Sequence, residues 1–189
     1  MTKYLRMMAM ISIFAFTSGC QMDQPTSASE VKAANAEMNR DANAALQSLY
    51  AKTPQARALA QRAKGILVFP EVLKAGLIAG AQRGEGELIE NGKVTGYYST
   101  TAASYGLQAG VQKFGYVMFF MTYSAMNDLK KANGFEVGVG PSIVVVDSGM
   151  AKSLTTSTAQ SDVYAFIFDQ KGLMAGLGLQ GSKITKLNR

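Results

Sequence analysis

The sequence predicts an α+β fold: N-terminal helices packed on a curved, mainly antiparallel, glycine-rich sheet or partial barrel. Three observations carry this. Between Ser29 and Lys64 the apolar residues recur at helical spacing. Beyond Gly65 they change to short runs and alternation, with Gly-Leu-x-Ala-Gly at residues 76–80, 106–110 and 172–176. The 189-residue chain is 48% hydrophobic and 17% charged, which suits one globular core and not a disordered polymer.

The chain opens with Lys3 and Arg6 ahead of an apolar run, residues 7–16, interrupted at Ser12. Ten residues are too short to span a bilayer, which takes about 20. The pattern is that of an export signal over residues 1–19. It ends in Thr17-Ser18-Gly19-Cys20, which resembles the lipobox of bacterial lipoproteins, with Thr17 where Leu is usual. That resemblance makes Cys20 the mature N-terminus, carrying acyl chains (palmitate among them) on its sulfur and amine. Loss of Lys3 and Arg6 lowers the net charge from +6 to +4. Residues 20–29 read as a flexible tether, and Gln21 after the cysteine fits sorting to an outer membrane, facing the periplasm.

The rest, residues 30–189, reads as a single domain. Val31, Met38, Ala42, Ala45 and Leu49 form an apolar stripe on a helix that Ser29 caps and that runs to about Tyr50. A second helix has Thr53 as N-cap, Pro54 in its first turn and Gly65 as its stop. Residues 66–69 are a buried strand closed by Pro70. The Gly-Leu-x-Ala-Gly copies, taken with period two, are strands with a leucine-alanine face and a glycine face. Such strands bend or admit close backbone approach. Residues 116–121, 135–139, 142–146 and 163–168 supply further strands, residues 124–132 a helix, and Asn91-Gly92 and Asn133-Gly134 turns.

The inventory excludes several chemistries. With no His and one Cys, the chain builds no Ser-His-Asp or Cys-His unit, no His/Cys zinc site and no internal disulfide. Residues 176–181 spell G-x-G-x-x-G, but eight residues follow and none is acidic, so no dinucleotide site is expected. Glu85 and Glu87 share a face of an extended segment; an ion pair with Arg83 or a solvated edge explains them better than an acid pair. Asp162 and Asp169 bracket an apolar strand as turn residues. Neither enzyme activity, metal nor cofactor is expected.

Charge placement says more. No acid lies between Asp41 and Glu71, where Lys52, Arg57, Arg62 and Lys64 occur, nor after Asp169, where Lys171, Lys183, Lys186 and Arg189 occur. Segregated cations beside a helix suit an anionic lipid surface. Export removes nucleic acid as a partner.

Finally, Ala63-Lys64-Gly65-Ile66-Leu67-Val68-Phe69-Pro70, Lys74-Ala75-Gly76 and Gly84-Glu85-Gly86 with Leu88 resemble the opening signature of the SYLF family. Tyr97-Tyr98-Ser99, the Gly-Leu-Gln-x-Gly of residues 106–110, and the closing blocks 170–176 and 181–185 continue the resemblance from about Ala58 to Lys186. The family includes actin-patch YSC-type proteins that bind phosphoinositides, actin or both. For an exported bacterial member the resemblance implies affinity for anionic phospholipid, with residues 54–64 as counterpart of the family's lipid-binding helix. The candidate contacts are Arg57, Arg62, Lys64, Lys74, Lys171, Lys183 and Lys186. The alternative is a structural envelope lipoprotein whose domain binds a protein partner.

Overall fold

A computed structural model describes residues 27–76, 79–105, 110–131, 135–136, 143–146, 161–172 and 182–189. The export signal, Cys20 and most of the expected tether lie outside the described residues, as do Asn133-Gly134 and the motif at residues 176–181.

Helix α1 is Ala28–Lys52 and begins inside the expected tether. Its N-cap is Ser27, not Ser29. Glu30 three residues on completes a capping box, with each side chain bonded to the other's backbone N–H. Ser29 lacks an acid at that spacing. Helix α2, Pro54–Ala60, starts at a proline, whose missing N–H costs nothing there, and is complete well before Gly65.

Eight strands follow: β1 Gly65–Gly76, β2 Ala79–Glu90, β3 Lys93–Tyr105, β4 Gly110–Phe120, β5 Phe135–Glu136, β6 Ile143–Val146, β7 Val163–Gly172 and β8 Lys183–Leu187. Helix α3, Tyr123–Lys130, separates β4 from β5 and is capped by the Thr122 hydroxyl. The strands form one open sheet in the order β5-β8-β3-β2-β1-β4-β7-β6. All pairs are antiparallel except β6–β7. The fold is the expected α+β, and the sheet is not closed into a barrel.

Pro70 does not end the first strand. The chain passes it through a bulge, where the register with β2 shifts between Val68 and Glu71 and that with β4 between Phe69 and Val72. A bulge is where a strand tolerates a residue without an N–H. Asn91 and Gly92, both at positive φ, turn β2 into β3 as the dipeptide predicts.

The glycine repeats are placed differently from the sequence reading. Gly76 ends β1, Gly80 belongs to β2, and the two are paired. The first copy therefore spans a strand connection and is not one strand. Gly110 opens β4 after the connection from β3, and Gly172 closes β7; the remaining residues of those copies are outside the described set. The repeats mark one end of the sheet. A Cβ on Gly76 would stand 2.6 Å from Gly80 Cα.

Two cores result. Leu67, Phe69, Leu88, Tyr98, Tyr116 and Met118 pack beneath α3 on one face. Val68, Val117, Phe119, Tyr164 and Phe166 pack beneath Leu46, Leu49 and Leu59 of α1 and α2 on the other. Close approach on the α3 side depends on Gly86, where a Cβ would lie 2.1 Å from the Val68 carbonyl oxygen. Gly86→Ala should therefore cost about 1–3 kcal/mol through forced backbone displacement. Gly92→Ala, in open space but strained at φ 74°, should cost about 1 kcal/mol, the lower end of the strain of an L residue in the left-handed region. Urea unfolding midpoints of the two variants check this ranking, and equal midpoints would contradict the packing described.

Candidate functional site

The register of the sheet assembles a charged row that the linear sequence conceals. Lys183 of β8 faces Thr101 of β3, which faces Arg83 of β2. Arg83 faces Leu73 of β1, Leu73 faces Lys113 of β4, and Lys113 faces Lys171 of β7. Paired residues point to the same side of a sheet, and all six are exposed. Four cations thus cross six strands in a line, on the face that carries α1 and α2 but beyond the cover of those helices. The next row outward, Ala103, Ala81, Ala75 and Val111, is exposed and apolar.

Acids border the row on the helix side. Glu71 accepts from Lys113 at 2.7 Å, and Glu85 pairs with Arg83 at 3.5 Å and with Arg189. Asp169, held at φ 53°, accepts from Lys52 and, at 2.6 Å, from the Ser48 hydroxyl of α1. These bonds hold its carboxyl below the usual aspartate range. Lys171 and Lys183 form no ion pair among the described residues. An open cleft of about 510 Å³, lined by Leu49, Lys52, Val146, Phe166, Asp169 and Lys171, lies where α1 ends against β7.

The other candidates lie elsewhere. Arg57 of α2 stacks over the Tyr50 ring, 5.5 Å from its centroid. Lys64, whose N–H donates to the Phe120 carbonyl, places its ammonium 5.3 Å over Tyr123. Lys64 precedes the first residue of β1, so Lys64 and Arg62 lie at the opposite end of that strand from Leu73, eight residues or about 25 Å away. Arg57 instead lies against the last turns of α1, whose Lys52 reaches Asp169. Lys186 pairs with Tyr98 and so points to the α3 face. Lys74 is buried, in register with Gln82 and Gln112, which are also buried. It is an interior residue and not a surface contact. The two basic segments therefore meet only where Lys52 and Lys171 line the cleft beside Asp169. Lys171 and Lys183 share their sheet face with Arg83 and Lys113, which the sequence does not single out. Strand parity from the buried Val72 and Phe114 puts Leu73 and Lys113 outward, but the strand order needed to align them was not legible.

A second feature is Glu87. Of the acid pair Glu85 and Glu87, which the sequence assigns to an ion pair with Arg83 or to a solvated edge, Glu85 is so placed, while Glu87 is fully buried beneath α1. The Asn39 amide lies against it: with its nitrogen turned toward Glu87, that nitrogen is 2.5 Å from Oε2 and 3.0 Å from both the Tyr97 hydroxyl and the Asn35 backbone carbonyl oxygen. Burial pushes the Glu87 carboxyl up to about 7. Burial, then the charge of Glu87, raises the Tyr97 phenol, over whose ring Arg189 lies at 5.8 Å.

Among the described residues, no group of three acids or other ligands could hold a metal, and no helix is long and apolar enough to cross a membrane. The described geometry is that of an α+β domain whose distinctive surface is an exposed charged sheet face. Residues 101–189 match the family model described as "Ysc84: Las17-binding protein actin regulator". The match covers 89 of the 189 residues and supports the SYLF resemblance read from the sequence. The opening signature of residues 63–88 precedes the match, yet lies mainly in β1 and β2 of the same sheet. No curated protein matches the chain.

Lys74 and the row lysines should separate in stability. Lys74→Glu places a carboxylate between two buried glutamines and should cost about 3 kcal/mol or more. Lys171→Glu and Lys183→Glu should stay within about 0.5 kcal/mol of the parent. Thermal unfolding of the three variants decides, and a stable Lys74→Glu would return Lys74 to the surface.

Proposed function

We propose that this protein is a lipid-anchored envelope protein whose SYLF domain contacts anionic phospholipid and catalyses no reaction. The observation that carries the reading is the row of Lys183, Arg83, Lys113 and Lys171 on one exposed face. A flat array of cations matches a flat array of phosphates, and each cation near such a surface contributes about 1 kcal/mol, weakened by salt. The residues of the lipobox-like segment support anchoring through acyl chains on Cys20, and Gln21 supports an outer-membrane site facing the periplasm. At a bilayer already reached by the anchor, weak contacts act at high effective concentration. An exported chain has no actin within reach, so the alternative is an envelope protein partner.

Two measurements test this. Mass spectrometry of the native protein should show a chain beginning at Cys20 with a large hydrophobic addition; retention of residues 1–19 would refute the anchor. Unlipidated Cys20→Ser protein should sediment with anionic vesicles and not with neutral ones, more at low salt. Reversing Lys113, Lys171 and Lys183 to Glu should weaken that binding by about 100-fold or more, and reversing Arg57, Arg62 and Lys64 should weaken it far less. Equal binding to neutral vesicles, or indifference to both sets of reversals, would favour the protein-partner reading.

A further inference from the structure

Glu87 lies under the half of α1 that is least anchored by apolar contacts. The fully buried residues of the helix are Ala42, Leu46 and Leu49, all in its C-terminal half. Over residues 28–41 none is buried, and contact with the sheet there includes Asn39 above Glu87. The site is incompletely bonded. The Asn39 nitrogen has two hydrogens for three oxygens, so Glu87 Oε2 gains at most one donor from it. Glu87 Oε1 and the buried Asn35 Oδ1 have no hydrogen-bond partner. A neutral carboxylic acid fits, because with the Asn39 amide turned the other way its Oε2–H donates to the Asn39 oxygen, which also accepts from the Tyr97 hydroxyl. A carboxylate, which accepts up to about four hydrogen bonds, does not.

The geometry points to Glu87 as a pH-dependent latch: neutral, it lets residues 28–41 of α1 lie on the sheet; ionised, it drives them off so that water can reach the carboxylate. The surrounding charges do not offset it. On β3 the facing group is Tyr97, whose ionisation is itself disfavoured beside Glu87. Arg189 is engaged with the Tyr97 ring and with Glu85, which is two residues away on the same face of β2 and also paired with Arg83. The β1 neighbour is Val68. On α1, Asn35 and Asn39 are neutral, while Lys32, Glu37, Arg40 and Asp41 are on the exposed side.

The sign follows from the raised carboxyl. An acid titrating near 4.5 when open and about 7 when closed favours closure fully below 4.5, and loses that advantage as pH rises through 7. The opening equilibrium should grow by up to about 300-fold over that window. This inference is independent of lipid binding. Amide hydrogen exchange, corrected for intrinsic rates, should show opening of residues 28–41 increasing from pH 4.5 to 8, with residues 42–52 unchanged. Glu87→Gln should flatten the profile at the closed level. A flat wild-type profile, or an unchanged slope in Glu87→Gln, would overturn the latch. Should Glu87→Gln fail to fold, carboxyl NMR titration of the unmodified protein decides: a midpoint near 7 supports the latch, and one near 4.5 overturns it.

Discussion

β1 is hydrogen-bonded on both edges, to β2 and to β4, and this double pairing fixes the rest of the molecule. A strand so placed must have apolar cover on both faces over its first half, and it does: Leu67 and Phe69 turn to the α3 side, Ile66 and Val68 to α1 and α2. Past the bulge at Pro70 the requirement changes. Val72 and Lys74 remain buried on the α3 side, but Glu71, Leu73 and Ala75 emerge beyond the helices. The charged row exists because four long strands outrun the 25-residue helix that crosses them.

Close strand approach is the second consequence. Gly84 and Gly86 lie where Val72 and Phe69 lean across from β1, and a side chain at either would enter backbone of the neighbouring strand. Glycine is used there for space, not for conformational freedom. The Asn91-Gly92 turn uses the other property, positive φ.

The helical stripe, the Thr53-Pro54 start, the strands at residues 116–121 and 163–168 and the Asn-Gly turn were legible because each is a local pattern. The first glycine repeat misled, since a period-two face and a strand connection both call for Gly beside Leu and Ala, and no local signal distinguishes them. Pro70 misled because tolerance of proline depends on a bulge made by partner strands. The site shows the same division. Lys171 and Lys183 could be picked out as cations in an acid-free segment, yet their alignment with Arg83 and Lys113 is a product of strand order. Lys74 differs from them by its burial, set by strand parity beyond the bulge. Glu87 was visible as an acid and not as a buried one, because the helix that covers it is about 50 residues away in sequence.

The separation of the two basic groups limits how the domain can meet a surface. Arg62 and Lys64 are about 25 Å along β1 from the row, against a Debye length of about 8 Å at physiological salt. A flat bilayer held against one group is then about three screening lengths from the other along that axis, and their contributions do not add. Of the two, the row is the better match to a plane, because its cations lie at one level across neighbouring strands spaced about 4.8 Å apart. Arg57 and Lys64 are also stacked on Tyr50 and Tyr123, and leaving those rings forfeits a contact worth about 0.5–1 kcal/mol at an exposed site. That loss offsets much of the roughly 1 kcal/mol each would gain near an anionic surface. Lys171 and Lys183 have no such contact to give up, so the same bilayer draws more net energy from the sheet face than from the helix end.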